Sequence, residues 1–448
     1  MGCGEALGIR EVRDGLRGLH GIGLAGTTDV NPVVRIGARV MLAMALATSL
    51  VAATREEVAA WYARGGTTAA LESAERWAPS DPEYGAARAR LLSQPIESAD
   101  ANGMARELEA AVRKGPRRAI NWANLGEAYE MAGRAAEAGG AYERALALFP
   151  KSPQINWQYA NYLVRSGDLA SAWGPLRETV LGDERLRAGA FDLAWRAGGA
   201  DAEVLAMIPA RQDVLSDYLD YLVQTGKLDA AGAVWRRLVA AHELIDTDAA
   251  FRYFDALLGK HQLDGLLTVW ADLERHDSAK FRAEPGSKNL ITDGNFERTI
   301  PNGGFGWRAV PVEGAKISVD ATATQDGTRA IEVEFAGKEN VEFGNVVQYV
   351  AVQPGTAYRF RALARREGLT TDSGPRIAVY DAYDHDALWA ETPNLLGTAG
   401  WEEQSLDFRT GPYTRLLVVQ ILRPASKKLD NQITGTVWFT GFSLIAEH

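Results

Sequence analysis

The sequence predicts a multidomain α + β chain: an N-terminal all-α solenoid of stacked helical hairpins, then an all-β sandwich. Three observations predict it. From Trp122 to Pro150, apolar and small residues recur at helical spacing in two runs separated by Gly133. The same positions return one period of about 34 residues later, Gly133 at Gly167 and Ala138 at Ala172. Beyond residue 288 the apolar period falls from 3.6 to two, as where Ile331, Val333 and Phe335 alternate with Glu332 and Glu334.

The chain has 448 residues, 46% hydrophobic and 24% charged, an ordinary balance for folded domains. A net charge of −10 argues against a nucleic-acid partner, which needs clustered Lys and Arg. Cys3 is the single cysteine, so neither an internal disulfide nor a cysteine zinc site can form.

Taken in order, residues 1–39 read as a poorly ordered segment. Leu7, Ile9, Val12, Leu16 and Leu19 outline a weak amphipathic helix that Gly8, Gly15 and Gly18 interrupt. Residues 40–54 form an apolar signal or anchor segment. Its core, Val40 to Ala53, is uncharged and follows Arg35 and Arg39. The run is short for a membrane span of about 20 residues. It reads either as an export signal or possible membrane anchor at 40–53, or as a buried helix opening the stack. The expected address is periplasmic or membrane-anchored, with cytoplasmic as the alternative.

Residues 55–280 carry the repeats. In the best unit Trp122, Leu125, Gly126 and Tyr129 share one helix face, Ala138, Tyr142 and Ala145 share the face opposite, and Pro150 ends the unit. This pattern resembles the tetratricopeptide repeat (TPR), a helix–turn–helix unit. One unit cannot bury its own apolar face, so neighbours are required. They are read at Trp157, Tyr159, Leu163 and Leu176, at a shorter unit with Phe191, Trp195, Val204 and Ile208, and at Tyr218, Leu222, Gly226, Ala231 and Trp235. Tyr253, Leu257, Trp270 and Leu273 follow, and upstream units are marked by Trp61, Ala70 and Trp77 and by Tyr84, Leu91 and Leu108. The count is six or seven.

Residues 281–288, polar with Pro285 and Gly286, read as a linker. Residues 289–448 then show period-two runs divided by turns such as Pro354-Gly355. The opening Asn289 to Glu297, Trp307, Gly355-Thr356-Ala357-Tyr358 and the final Val437 to Leu444 resemble jelly-roll carbohydrate-binding modules of the galactose-binding-like class. The resemblance implies an opening strand at Asn289 to Glu297 and a glycan ligand. The places before the last run hold Thr440 and Gly441, where those modules often carry Asp, which weakens any calcium site. Trp401 and Trp438 read as core residues.

No catalytic motif is present: no phosphate loop, nucleophile elbow or paired-His zinc motif. No cofactor and no metal are expected. The richest polar-aromatic stretch is Arg376 to Trp389, where Arg376, Tyr380, Tyr383, Asp384 and Trp389 supply rings for a pyranose face and charges for its hydroxyls. Gln420 and Arg423, on a strand, can share that face. The bland reading is a solvated loop with Trp389 packed as a lid. In the repeats, Asn121, Asn124, Asn156 and Asn161 are candidates for a protein-binding groove. The resemblances together imply a non-enzymatic scaffold or adaptor: the TPR groove holds a protein partner and the sandwich holds carbohydrate, in an envelope or exported-polysaccharide setting. The alternative is a sandwich that only packs or contacts protein, and the third reading is a glycan-modifying enzyme.

Overall fold

A computed structural model describes residues 32–94, 99–198, 201–241, 245–281, 287–322, 328–429 and 431–447. The chain divides into two compact units, Met1–Pro150 and Lys151–His448.

The first unit opens with α1 (Pro32–Ala63), then α2 (Thr68–Trp77), α3 (Glu83–Leu92), α4 (Ala101–Lys114), α5 (Ala119–Met131) and α6 (Ala135–Leu148). Helix α1 is continuous across the expected boundary at residue 54. Residues 32–39, expected to be poorly ordered, are its first turns, and residues 1–31 lie outside the described residues. Ile36–Ala63 is long and apolar enough to cross a membrane, about 42 Å at 1.5 Å per residue. Among the described residues nothing covers its most apolar window. Ala59, Tyr62 and Ala63 at its end pack with Leu71 and Ala74 of α2, and Arg55 Nε donates to the Trp77 carbonyl at 3.0 Å. Trp61 and Trp77, expected on the apolar face of a repeat, are instead 63% and 44% exposed. The remaining hairpins bury Met104, Leu108, Leu125 and Ala128. Beside them Arg88, 8% exposed, is held by Glu75 and Glu107 at 2.6 Å each.

The second unit carries four more hairpins: α7 (Pro153–Ser166) with α8 (Leu169–Gly182), α9 (Glu184–Arg196) with the short α10 (Asp201–Met207), α11 (Gln212–Gln224) with α12 (Leu228–Ala241), and α13 (Thr247–Gly259) with α14 (Leu263–His276), followed by the single turn α15 (Ser278–Phe281). Gly133, Gly167 and Gly226 turn their hairpins at φ +74°, +83° and +72°, a left-handed conformation that costs glycine least. Phe191, Tyr218, Trp235, Phe254 and Leu266 form the shared core of this unit.

The strands are β1 (Arg308–Ala309), β2 (Ala315–Asp320), β3 (Ala330–Ala336), β4 (Phe343–Ala351), β5 (Ala357–Leu369), β6 (Arg376–Asp381), β7 (Trp389–Glu391), β8 (Gly397–Arg409), β9 (Leu416–Arg423) and β10 (Thr434–Ala446). They form two antiparallel five-stranded sheets, ordered β1-β4-β9-β6-β7 and β2-β3-β10-β5-β8. Val346, Val350, Ile377, Val419 and Ile421 of the first sheet meet Val333, Phe360, Val437 and Phe439 of the second. The fold class is therefore a helical region followed by an all-β sandwich. The segment Asn289 to Glu297 is not the expected strand but loop and turn. Asn289 ties it to β10: its Nδ2 donates to the Phe442 carbonyl at 3.0 Å and its Oδ1 accepts from the Leu444 amide at 2.9 Å. Trp401 and Trp438 are not in the inter-sheet core. They pack with Ala330 as a small satellite cluster, and Arg365 covers the Trp438 ring at 4.5 Å.

The sandwich is docked on the last hairpin. Phe305 stands edge-on to Phe254 and Trp270, with ring centres 5.0 and 5.8 Å away. Leu416 of β9 joins the helical core. A Cβ on Gly303 would lie 2.1 Å from the Phe251 ring and one on Gly304 2.3 Å from Trp270, so only a chain without side chains passes there. Arg308 forks onto Asp255 at 2.5 and 3.1 Å, and Arg415 reaches Asp264 at 3.0 Å. The linker reading of 281–288 is corrected at its first residue: Phe281 is 2% exposed, packed on Phe251 and Trp270. Residues 282–286 lie outside the described residues.

Candidate functional site

Strand alternation fixes which side chains face out from the first sheet. One cross-strand row runs Tyr349, Val418, Tyr380, Trp389, and the next runs Val347, Gln420, Ala378, Glu391. The inner end of the face, with Leu416 and Tyr349, lies against the helical core. The far end is open. There Trp389, 47% exposed, lies flat on Tyr380, centres 4.7 Å apart and planes at 18°. His385 meets the Tyr380 ring edge-on at 4.7 Å and stands 5.3 Å from Trp389.

Hydrogen bonds hold this face in place. The Tyr380 hydroxyl donates to Gln420 Oε1 at 3.0 Å, and Gln420 Nε2 donates to the Gly344 carbonyl at 2.8 Å. Arg376 Nη1 lies 3.1 Å from Glu391 Oε1 at the edge of the row. Burial, with a smaller contribution from Tyr349, pushes the Tyr380 phenol up to about 12. It therefore stays protonated and keeps donating to Gln420 through the neutral range. The result is a rigid, open aromatic plate bordered by amide, guanidinium and carboxylate groups. Such a plate can stack the apolar face of a ring while its border bonds polar substituents.

The seven candidates from the sequence separate into three groups. Arg376, Tyr380, Trp389 and Gln420 come together on the outer face. Tyr383 and Asp384 lie on the other side of the β6–β7 loop. The Tyr383 hydroxyl donates to the Leu258 carbonyl at 3.1 Å and its ring lies on His261, centres 3.8 Å apart. Asp384 accepts from the Asp386 amide at 3.1 Å. Arg423 is not a surface ligand group. It is fully buried, donating to the Ser373 carbonyl at 2.8 Å, Asn340 Oδ1 at 3.0 Å, the Asn431 carbonyl at 3.2 Å and the Val341 carbonyl. As the last inward position of β9 it satisfies loop carbonyls between the sheets. Tyr349 and Glu391 belong to the face and were not singled out from the sequence. Glu391 had a signal, two residues from Trp389 on β7, whereas Tyr349 joins the face only through the β4–β9 register.

The four asparagines also separate. Asn124 lines a cavity of about 930 Å³ in the first unit, with Ala86, Ala89, Met104 and Leu108 as apolar wall and Arg90 and Glu127 as polar ones. Asn121 is 1% exposed and Asn156 3%, the latter donating to the Ser152 carbonyl at 2.9 Å, so neither lines an open groove. Asn161 donates back to the Trp157 carbonyl of its own helix at 2.8 Å. No group of three or more metal-ligating side chains occurs among the described residues.

Neither a scan of protein-family models nor a search of curated proteins returns a match. Among solved structures, the chain is similar to the CBM22-1–GH10 modules of an endo-1,4-β-D-xylanase 10B from Clostridium thermocellum, at 13% identity and TM-score 0.26, over 36% of this chain and 29% of that one. It thus spans less than a third of that structure's length. A family 16 carbohydrate-binding module is similar at 21% identity and TM-score 0.26, over 35% of this chain and 99% of that one. PilF of Pseudomonas aeruginosa is similar at 15% identity and TM-score 0.25, over 45% and 93%. The class that the fold and site define is an array of helical hairpins followed by a two-sheet sandwich with one open aromatic face.

Proposed function

We propose that the chain is a non-enzymatic adaptor: its TPR-like hairpins hold a protein partner, its sandwich binds carbohydrate, and α1 anchors it to a membrane with the folded units on the periplasmic side. The observation that carries the carbohydrate reading is the open Tyr380–Trp389 stack with its polar border. Pyranose rings offer axial C–H groups to such a plate and hydroxyls to its rim. The uncovered apolar length of α1 supports the anchor. The cavity beside Asn124, with an apolar wall and polar flanks, supports partner binding. A glycan array probed with the full chain in lipid nanodiscs tests the sugar reading: retention on at least one polysaccharide class is expected, and a blank array refutes it.

A second reading has its own observation. Phe305, Leu416, Arg308 and Arg415 dock the sandwich on α13 and α14. On that reading the sandwich acts only as a packing or protein-contact domain. A Trp389→Ala chain that folds normally but no longer binds polysaccharide decides for carbohydrate, while a Trp389→Ala chain that unfolds decides for packing.

A further inference from the structure

The loop from Asp381 to Leu388 has a second side, away from the Tyr380–Trp389 stack. It walls a cavity of about 460 Å³, within the roughly 300–1,000 Å³ span of small-molecule pockets. His261 lines it from the turn between α13 and α14, Leu263 from the start of α14, Tyr383 and Asp384 from the loop, and Tyr413 and Thr414 from the β8–β9 turn.

Four features make it a built site. Thr414 is 1% exposed, yet its Oγ1 has no hydrogen-bond partner among the described residues. A buried hydroxyl left unpaired opposes folding, and native chains satisfy nearly all such groups. Asp381, 6% exposed, fixes the loop by accepting the amides of Tyr383 at 2.8 Å and Asp384 at 3.0 Å on one oxygen. The Tyr383 wall is preformed, because His261 stacks on its ring and the Leu258 carbonyl holds its hydroxyl. At the rim Tyr413 is 91% exposed, a large ring that nothing covers.

The lining has no dominant charge. Asp381 and Asp384 share the lining with Arg415, itself drawn toward Asp264 at 3.0 Å. Two carboxylates with one guanidinium do not make a hard-cation cage. Ring faces combined with a hydroxyl, carboxylates and an arginine suit a neutral molecule rich in hydroxyls.

We propose that this cavity binds one hexose-sized polyhydroxylated unit, as a second ligand site separate from the outer-face plate. The inference does not rest on that plate binding glycan. It assigns the sandwich two sites of different reach, an open plate for a chain and a pocket for a single unit, with the last helical hairpin completing the pocket.

The test is titration of the full chain in lipid nanodiscs with methyl gluco-, galacto- and mannopyranosides, followed by saturation-transfer NMR. Thr414→Val keeps the side-chain shape and removes the orphan hydroxyl, so its melting temperature should hold or rise. Tyr413→Ala removes an exposed ring and leaves the fold intact. At least one hexoside is expected to bind, about tenfold more weakly in each of these variants and within about twofold of the parent in Trp389→Ala. Polysaccharide retention should show the opposite dependence, so failure of the plate and failure of the pocket read separately. The proposal is overturned if no hexoside binds the parent chain at tens of millimolar. It is equally overturned if Thr414→Val and Tyr413→Ala bind as the parent does.

Discussion

The two sheets of the sandwich share one core and present opposite outer faces. On the second sheet the outward row is ionic: Arg359 pairs with Asp407 and Glu447 at 2.7 Å, Arg361 with Glu403 at 3.7 Å and Arg365 with Glu367 at 3.7 Å. The Trp438 ring there lies under Arg365. On the first sheet the corresponding row is Tyr349, Val418, Tyr380 and Trp389. A face that only meets water needs solvated charges, whereas an uncharged aromatic face is a cost unless something covers it. The last helical hairpin covers one end of that row, and Trp389 marks the end still open.

The largest effect that sharpens this comparison comes from what lies between the sheets. Replacing Arg423 by Met removes four hydrogen bonds, with Asn340 Oδ1 still held by the Ser426 amide and the Ser373 carbonyl by the Thr371 hydroxyl, and should destabilise the domain by about 3 kcal/mol, read by denaturant unfolding. Next comes the covered end. Phe305→Ala opens a hole between Phe254 and Trp270 and should cost about 3 kcal/mol, with the sandwich and last hairpin no longer melting as one transition. At the open end, Trp389→Ala should lower polysaccharide affinity at least about tenfold while the melting temperature barely moves. On the ionic face, Arg361→Ala should change stability by less than about 0.5 kcal/mol and glycan affinity not at all.

A pH titration confines its effect to the alkaline range. The Tyr380 phenol is raised from 10.0 to about 12 in the folded chain. Its contribution to stability is therefore complete below pH 10 and is lost as pH climbs through about 12. Far-ultraviolet melting against pH should show the parent losing stability as pH climbs from about 10 to about 12, while Tyr380→Phe, lowered by a constant offset because Gln420 Oε1 loses its donor, shows no loss in that window.

The repeats were legible because each mark has a local cause. Gly133, Gly167 and Gly226 turn at positive φ, and Ala138, Tyr142 and Ala145 bury one helix face. The strands were legible from alternation, but Tyr380, Trp389 and Gln420 were grouped by residue type, and only the pairing of β6 with β7 and β9 sets them on one side. Docking was not legible, because Phe305, Arg308 and Tyr383 find partners at Phe254, Asp255 and Leu258, far back in the chain. The same long range explains β9. Its run Leu416 to Leu422 alternates poorly because its outer side is also covered where Leu416 meets the helices. Arg423 was misplaced beside Gln420 although it continues the inward register of Leu417, Val419 and Ile421; what the sequence did not show is that loop carbonyls far away in the chain satisfy a guanidinium there.

Affinity electrophoresis of the full chain through gels containing soluble polysaccharide, comparing the parent, Trp389→Ala and Arg361→Ala, addresses the open face most directly. The parent and Arg361→Ala are expected to be retarded equally by at least one polysaccharide, and Trp389→Ala to run free. Equal mobility of all three in every gel, or retardation of Trp389→Ala matching the parent, would contradict it.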